Sequence, residues 1–124
     1  MKVRPEQIGE FRRKMTSHQV SFAAKLQHLA TVQPDAPAVT CGLETVSYAE
    51  LNARANRIAH ALRARGVRPG DLVTLALRNG IGFIEAAWGI WKAGATPQPV
   101  SFRLPKAELE QIAELADTPL VIGD

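Results

Sequence analysis

Residues 47–66, SYAELNARANRIAHALRARG, carry the start, the apolar face and the end of one helix. Ser47 and Glu50 have the S-x-x-E spacing of a capping box, in which each side chain accepts a hydrogen bond from a free N–H at the helix start. Apolar side chains then recur with helical spacing, at Leu51, Ala55, Ile58 and Leu62. Gly66 follows where a left-handed residue ends a helix at low cost. The stretch therefore predicts an amphipathic helix.

The segments around this helix alternate between strands and helices. The sequence predicts a helix over 21–30, a hairpin of strands 37–40 and 45–47, strands over 72–77, 96–100 and 119–122, and helices over 81–93 and 105–116. Asn79 is predicted to cap the 81–93 helix and Gly94 to end it. This order predicts an α/β fold, with a partly parallel sheet flanked by helices and a small β-hairpin.

Two of these strands have compositions that predict their place in the sheet. Residues 72–77, LVTLAL, are almost continuously apolar, which is typical of a strand covered on both faces. Residues 96–100, TPQPV, contain two prolines, which cannot donate ladder hydrogen bonds and so indicate an edge strand. The apolar helix over 81–93 should be buried on more than one side.

Length and composition fit one soluble domain. The chain has 124 residues, of which 46% are hydrophobic and 22% charged, and its net charge is +3. Residues 1–17 are polar and basic, and are predicted to be a loose lead-in to a domain over 18–124. The run Arg12-Arg13-Lys14 has no interleaved aromatic residues to stack on bases, so no nucleic-acid partner is expected.

The chain shows no sign of export or of membrane insertion. Cys41 is the only cysteine, which excludes an internal disulfide and favours a reducing compartment. No apolar run reaches the roughly 18 residues of a membrane-spanning helix, and no secretory signal is present. The expected location is the cytoplasm.

Several side chains of types that occur in active sites lack a partner at the spacing of a metal site or a catalytic pair. The histidines are His18, His28 and His60, and the other candidates are Cys41, Glu44 and Asp71. None has a second metal ligand, a base or a paired carboxylate at a diagnostic distance along the chain. Trp88 and Trp91 have helical spacing within an apolar helix, which favours core packing over a ligand pocket. No catalytic, cofactor-binding or metal-binding residue is therefore predicted.

Asn79-Gly80-Ile81-Gly82 lies between a predicted strand and a predicted helix, where free N–H groups bind phosphate in nucleotide-binding folds. The third glycine of a G-x-G-x-x-G fingerprint would fall at position 85, where the chain has Glu85. A carboxylate in the first helical turn would compete with phosphate for those N–H groups. An unrelated nucleotide-binding domain is thus the least favoured hypothesis.

Four short segments occur in an order that resembles one enzyme family. Residues 45–52, TVSYAELN, match the pattern [LV]-[ST]-Y-x-E-L-[ND], and 53–71 end in a G-V-x-P-G-D turn. Residues 91–95, WKAGA, match x-K-A-G-[AG], and 101–109, SFRLPKAEL, are similar to N-x-R-L-x-x-x-E-L with serine at its first position. Over about 35–124, these segments resemble the N-terminal subdomain of adenylate-forming enzymes, which include acyl-CoA synthetases, luciferases and nonribosomal-peptide adenylation domains.

The resemblance implies a reaction for the parent enzyme. Members of the family join a carboxylic acid to AMP from ATP with magnesium, release pyrophosphate, and pass the acyl group to a thiol such as coenzyme A. Residues 96–109 as a whole resemble the corresponding segment of acyl-CoA synthetases for fatty, aromatic or bile acids.

The segments of the family that carry its chemistry are not found in this chain. The matching residues, Tyr48, Glu50, Leu51, Lys92 and Gly94, belong to early motifs with mainly structural roles. The family's Ser/Thr/Gly-rich phosphate loop, its ribose-binding aspartate and its catalytic lysine are absent. The resemblance therefore implies that the chain alone is inactive and needs the remainder of the parent enzyme.

Two further expectations concern interactions. A stand-alone binding or interaction module derived from the same fold is the alternative to an N-terminal fragment. In a fragment, the helix around 83–91 and the sheet edges would normally meet the missing part, and exposed apolar surface of this kind favours self-association.

Overall fold

The structure, a computed structural model, describes residues 21–118 and 120–123. These residues form, in order, α1 (Phe22–Val32), β1 (Pro37–Cys41), β2 (Glu44–Ser47), α2 (Tyr48–Ala64), β3 (Leu72–Ala76), α3 (Ile81–Lys92), β4 (Thr96–Pro99), α4 (Lys106–Leu115) and β5 (Val121–Gly123). The alternation confirms the predicted α/β fold. The predicted lead-in at 1–17 and His18 lie outside the described residues.

Helix α2 begins and ends as its sequence predicts. The Ser47 Oγ accepts a hydrogen bond from the Glu50 N–H at 3.2 Å. Gly66 closes the helix with a φ of +92°, in the left-handed region. The reciprocal bond from the Ser47 N–H to the Glu50 carboxylate is not formed among the described contacts. The helix is therefore capped by one half of the predicted capping box.

The strands form two sheets. β1 and β2 pair antiparallel as the predicted hairpin, and β3 lies between β4 and β5 in a parallel sheet. Val73, Thr74 and Leu75 are 0% exposed, which confirms that β3 is covered on both faces. β4 is an edge strand as predicted, and the Thr74 Oγ1 hydrogen-bonds to Gln98 Oε1 at 3.1 Å across this pair.

The core consists of two clusters that α2 and α3 share. The larger cluster fills the space between the parallel sheet and these helices, and includes Leu62, Leu75 and Ile90. The smaller joins α1, the hairpin and α2 through Leu26, Val46 and Leu51. No helix of the described residues is long and apolar enough to cross a membrane.

Helix α3 differs from its prediction at its start. Gly80, not Asn79, is the N-cap residue, and no side chain caps the helix. Along the helix only Gly82 is exposed, so α3 is buried on several sides as predicted. The elements that cover it belong to this chain, mainly α1, α2 and the strands. Four large apolar residues of the helix remain half-buried, namely Phe83, Ile84, Trp88 and Trp91. The expectation that α3 meets a missing part of the protein stays a prediction.

Open apolar surface lies around α4 and β5. The stripe of α4 is predicted correctly at Leu109, Ile112, Ala113 and Ala116, yet each of these residues is only half-buried. Leu115 is 89% exposed and Val121 is 37% exposed. Because β5 pairs with β3 on one side only, its outer edge is unpaired among the described residues.

Candidate functional site

The carboxyl ends of β3 and β4 lie at the same edge of the parallel sheet, because the register pairs Leu75 with Pro99. The chain leaves β3 towards Arg78, and it leaves β4 through a turn over 101–104. In open α/β sheets, ligands bind in the crevice outside the carboxyl ends of the strands. This edge is therefore the candidate functional site.

Two arginines meet one aromatic ring at this edge. The Arg78 Cζ lies 5.2 Å from the centroid of the Phe102 ring, and the Arg103 Cζ lies 5.3 Å from it. Both distances are in the range of cation–π contacts. The Arg103 N–H donates to the Ser101 Oγ at 3.2 Å, which fixes the turn that carries both Phe102 and Arg103. We call these three residues, Arg78, Phe102 and Arg103, the carboxyl-edge corner.

The carboxyl-edge corner has the chemistry of an anion site. Arg78 and Arg103 are both exposed, and Phe102 is 38% exposed, so the two guanidinium groups and a ring are accessible to a ligand. Guanidinium forks match the geometry of phosphate and carboxylate groups. The sequence predicted no site at these residues, because Arg78 follows β3 and Phe102 follows β4, and only the pairing of the two strands brings them together.

An open apolar groove of about 440 Å³ adjoins the corner. Phe102, Leu104, Leu109 and Val121 line it, with Lys106 among them. A second groove of about 300 Å³ lies between α2 and β5, and it is also lined by Val121. The edge strand β5 therefore separates two apolar depressions.

The candidate reactive residues named from the sequence either lie away from this edge or have a structural role. His28, His60, Cys41 and Glu44 are exposed on helices and at the hairpin. The Asp71 carboxylate accepts a hydrogen bond from the Arg68 N–H at 2.8 Å, which closes the turn before β3. Within 21–118 and 120–123, no three His, Cys, Asp or Glu side chains form a group that could hold a metal ion.

The two tryptophans pack in an aromatic cluster, in agreement with the core hypothesis. The ring centroids of Trp88 and Trp91 are 5.0 Å apart in an edge-to-face arrangement. Phe22 of α1 closes the cluster at 5.2 Å from Trp91 and 6.2 Å from Trp88. Such aromatic pairs stabilise a fold by more than the burial of their apolar area alone accounts for.

Glu85 has a different role from the predicted competition with phosphate. Its Oε1 lies 2.6 Å from the Arg54 Nη1, in a partly buried ion pair that links α2 to α3. The hydrogen bond from Arg54 to this carboxylate raises the pKa of Arg54 above its ordinary value. Glu85 therefore joins two helices, and it does not occupy the first turn of its own helix.

The residues of the early motifs are placed mainly by packing. Leu51 is 2% exposed, and Tyr48 packs against the smaller core cluster. Gly94 has a φ of +82°, and a Cβ there would lie 3.2 Å from Pro69 Cβ, so this turn favours glycine. Lys92 is half-buried, and burial lowers the pKa of its ammonium group.

Comparison with known proteins gives consistent matches over nearly all the described residues. A family model described as AMP-binding enzyme matches residues 26–124. The chain is 40% identical over 105 residues to a medium/long-chain-fatty-acid–CoA/3-oxocholest-4-en-26-oate–CoA ligase of Mycobacterium marinum. That match covers 85% of this chain and 19% of the ligase, so the chain spans about a fifth of this relative's length.

Solved structures share the fold. The nonribosomal peptide synthetase FmoA3 superposes with a TM-score of 0.79 at 33% identity, over 85% of this chain and 11% of the other. The N-terminal subdomain of Klebsiella oxytoca NpsA gives a TM-score of 0.73 at 19% identity, over 84% of this chain and 27% of the other. At that identity, the second match shows the fold alone.

Proposed function

Because this chain belongs to the family of AMP-binding enzymes, we propose that it is the N-terminal part of an AMP-forming acid–CoA ligase. The parent enzyme would activate a carboxylic acid with ATP to an acyl-adenylate and transfer the acyl group to coenzyme A. The observation that carries this proposal is the 40% identity to a fatty-acid–CoA ligase across 85% of the chain. The name of that relative favours an aliphatic acid, with a fatty chain or a steroid side chain.

The chain alone does not form a site for the magnesium ion and the ATP that the reaction needs. Magnesium prefers clustered carboxylate oxygens, and the described residues contain no group of three acidic or other metal-binding side chains. The sequence also contains no Ser/Thr/Gly-rich loop that ends in lysine to hold the phosphates of ATP. We therefore assign no chemical step to these residues, and we expect the chain by itself to form no acyl-adenylate.

What the chain supplies is a scaffold and a charged edge. The parallel sheet holds the carboxyl-edge corner at the position where open sheets bind ligands. The two exposed arginines would attract a substrate that carries phosphate groups, because opposite charges steer association. The exposed, unpaired thiol of Cys41 fits a reducing compartment such as the cytoplasm.

The test is a pyrophosphate-release assay on the chain expressed with the rest of its open reading frame. Fatty and steroid acids should release pyrophosphate from ATP and, with coenzyme A present, form thioesters. The frame should continue past Asp124 into a Ser/Thr/Gly-rich loop ending in lysine. Activity of the 124-residue chain alone would contradict its assignment as an inactive part, and an inert full-length protein would contradict the ligase assignment.

A second acceptor thiol is favoured by the structural match to a nonribosomal peptide synthetase, at 33% identity and a TM-score of 0.79. In that case the acyl group would pass to the phosphopantetheine thiol of a carrier protein. Thioester formation with free coenzyme A and with a loaded carrier protein, compared on the same full-length enzyme, separates the two acceptors. The stand-alone binding module has less support, because the relatives compared above are synthetases and ligases several times longer than this chain.

A further inference from the structure

A polar cleft of about 280 Å³ lies between α1, α2 and the end of α3, and no function is yet assigned to it. Its described lining residues are Ser21, Ala23, Ala24, Gln27, Asn56, Ala59, His60, Arg63 and Lys92. Arg63 and Lys92 are cationic, His60 carries an imidazole that can donate a hydrogen bond, and none of the nine is acidic. The lining residues as a whole come from the start of α1, from α2 and from the end of α3, so the fold itself brings them together.

One cation of the cleft, the exposed Arg63, is held by a hydrogen bond. The Arg63 Nη2 donates to the backbone carbonyl oxygen of Lys92 at 2.6 Å, which fixes the guanidinium across the gap between α2 and α3. Arg63 retains further N–H donors, because a guanidinium has five. Burial lowers the pKa of Lys92, so a bound anion would relieve the cost of holding the ammonium group in its charged form.

The first turn of α1 adds backbone donors to the same cleft. The N–H groups of a first helical turn have no acceptor within the helix, and the positive end of the helix dipole lies there. The Ser21 Oγ accepts the Ala24 N–H at 3.1 Å, so the cap satisfies only part of this turn. Asn56 and Gln27 contribute amide groups that donate hydrogen bonds as well.

We propose that this cleft binds a phosphate-sized oxyanion, held by Arg63, Lys92 and His60 against the start of α1. The volume leaves room for one phosphate and a small attached group. The cleft is separate from the carboxyl-edge corner. Helix α3 runs from the carboxyl end of β3 to the amino end of β4, and Lys92 is its last residue. The two sites therefore belong to opposite edges of the sheet, and this one does not depend on the ligase assignment.

The experiment is a ¹H–¹⁵N NMR titration of the 124-residue chain with inorganic phosphate, at constant ionic strength set with chloride. We expect saturable shifts at the amides of Ala23, Ala24 and Lys92. Arg63→Gln should weaken the binding by about tenfold, since charge-assisted hydrogen bonds to phosphate are among the stronger polar contacts. Lys92→Met keeps the apolar stem of the side chain and provides a second variant should Arg63→Gln unfold.

Arg57→Gln is the matched control, because Arg57 is an exposed arginine of the same helix and does not line the cleft. It should leave the affinity for phosphate unchanged. Non-saturable shifts, equal weakening by the control, or shifts centred on Arg78 and Arg103 would each overturn the proposal. An unchanged spectrum would do so too, because it would mean that phosphate does not enter the cleft.

Discussion

At the scale of single residues, Gly89 sets how closely α2 and α3 approach each other. A Cβ at this position would lie 2.6 Å from Ile58 Cβ and 3.3 Å from the carbonyl oxygen of Ala55. Real Cβ atoms do not come so close to another side-chain carbon, so the two helices would have to move apart. We expect Gly89→Ala to lower the free energy of unfolding by about 1 to 3 kcal/mol, as overpacked cores do.

Urea denaturation of the variant and of the unsubstituted 124-residue chain measures this loss. Gly82→Ala is the control, because Gly82 lies in the same helix and a Cβ there would meet nothing within 4 Å. Alanine has the higher helix propensity, so this variant should be unchanged or slightly more stable. If Gly89→Ala were as stable as Gly82→Ala, the contact with Ile58 would not be what limits the approach of α2 and α3.

At the scale of elements, the N-cap of α2 matters for the whole core, because this helix contributes buried residues to both core clusters. Ser47→Ala removes the hydroxyl that accepts the Glu50 N–H. The expected loss is about 1 kcal/mol of unfolding free energy, the usual cost of removing an N-cap side chain. Thermal unfolding, followed by the circular dichroism signal of the helices, would be measured in parallel with urea denaturation.

Ser47→Asp is the matched variant, since an aspartate at the N-cap accepts the same hydrogen bond and carries a charge that suits the helix dipole. It should retain the stability of the parent chain. If Ser47→Asp is as unstable as Ser47→Ala, the serine would be required by its place at the end of β2 and not by capping.

At the scale of the whole molecule, the unpaired edge of β5 and the grooves beside it are the surface most suited to association. Val121 lines both grooves, and edge strands with apolar neighbours pair with other chains. We expect the 124-residue chain to form dimers or larger species in light scattering. Val121→Lys should shift it towards the monomer, because a lysine on an edge strand opposes pairing.

Leu43→Lys is the control for this prediction. Leu43 is fully exposed at the tip of the hairpin, away from β5, so its replacement should not change the oligomeric state. Association through β5 would be contradicted if the unsubstituted 124-residue chain were a monomer at all concentrations. It would also be contradicted if Leu43→Lys dissociated the chain as Val121→Lys does. In the proposed full-length ligase, the same surface would be covered by the rest of the enzyme.

Local sequence was sufficient to predict the type and approximate bounds of the elements. The cap at Ser47, the stop at Gly66 and the continuous apolar run of β3 act within a few residues of chain, so they can be read before any packing is known. The early motifs also identified the family, because their order along the chain is itself a property of the sequence.

Tertiary structure decided which of these elements meet. The sequence of α3 could not say which elements cover it, because an apolar helix has the same pattern whether its own chain or another part of the protein packs against it. Arg78 and Phe102 became neighbours only through the parallel pairing of β3 with β4, and Arg63 reached Lys92 only because α2 packs on α3. Sequence thus determined the elements and the family, whereas long-range packing alone determined the charged sites, because contacts between distant residues leave no local pattern.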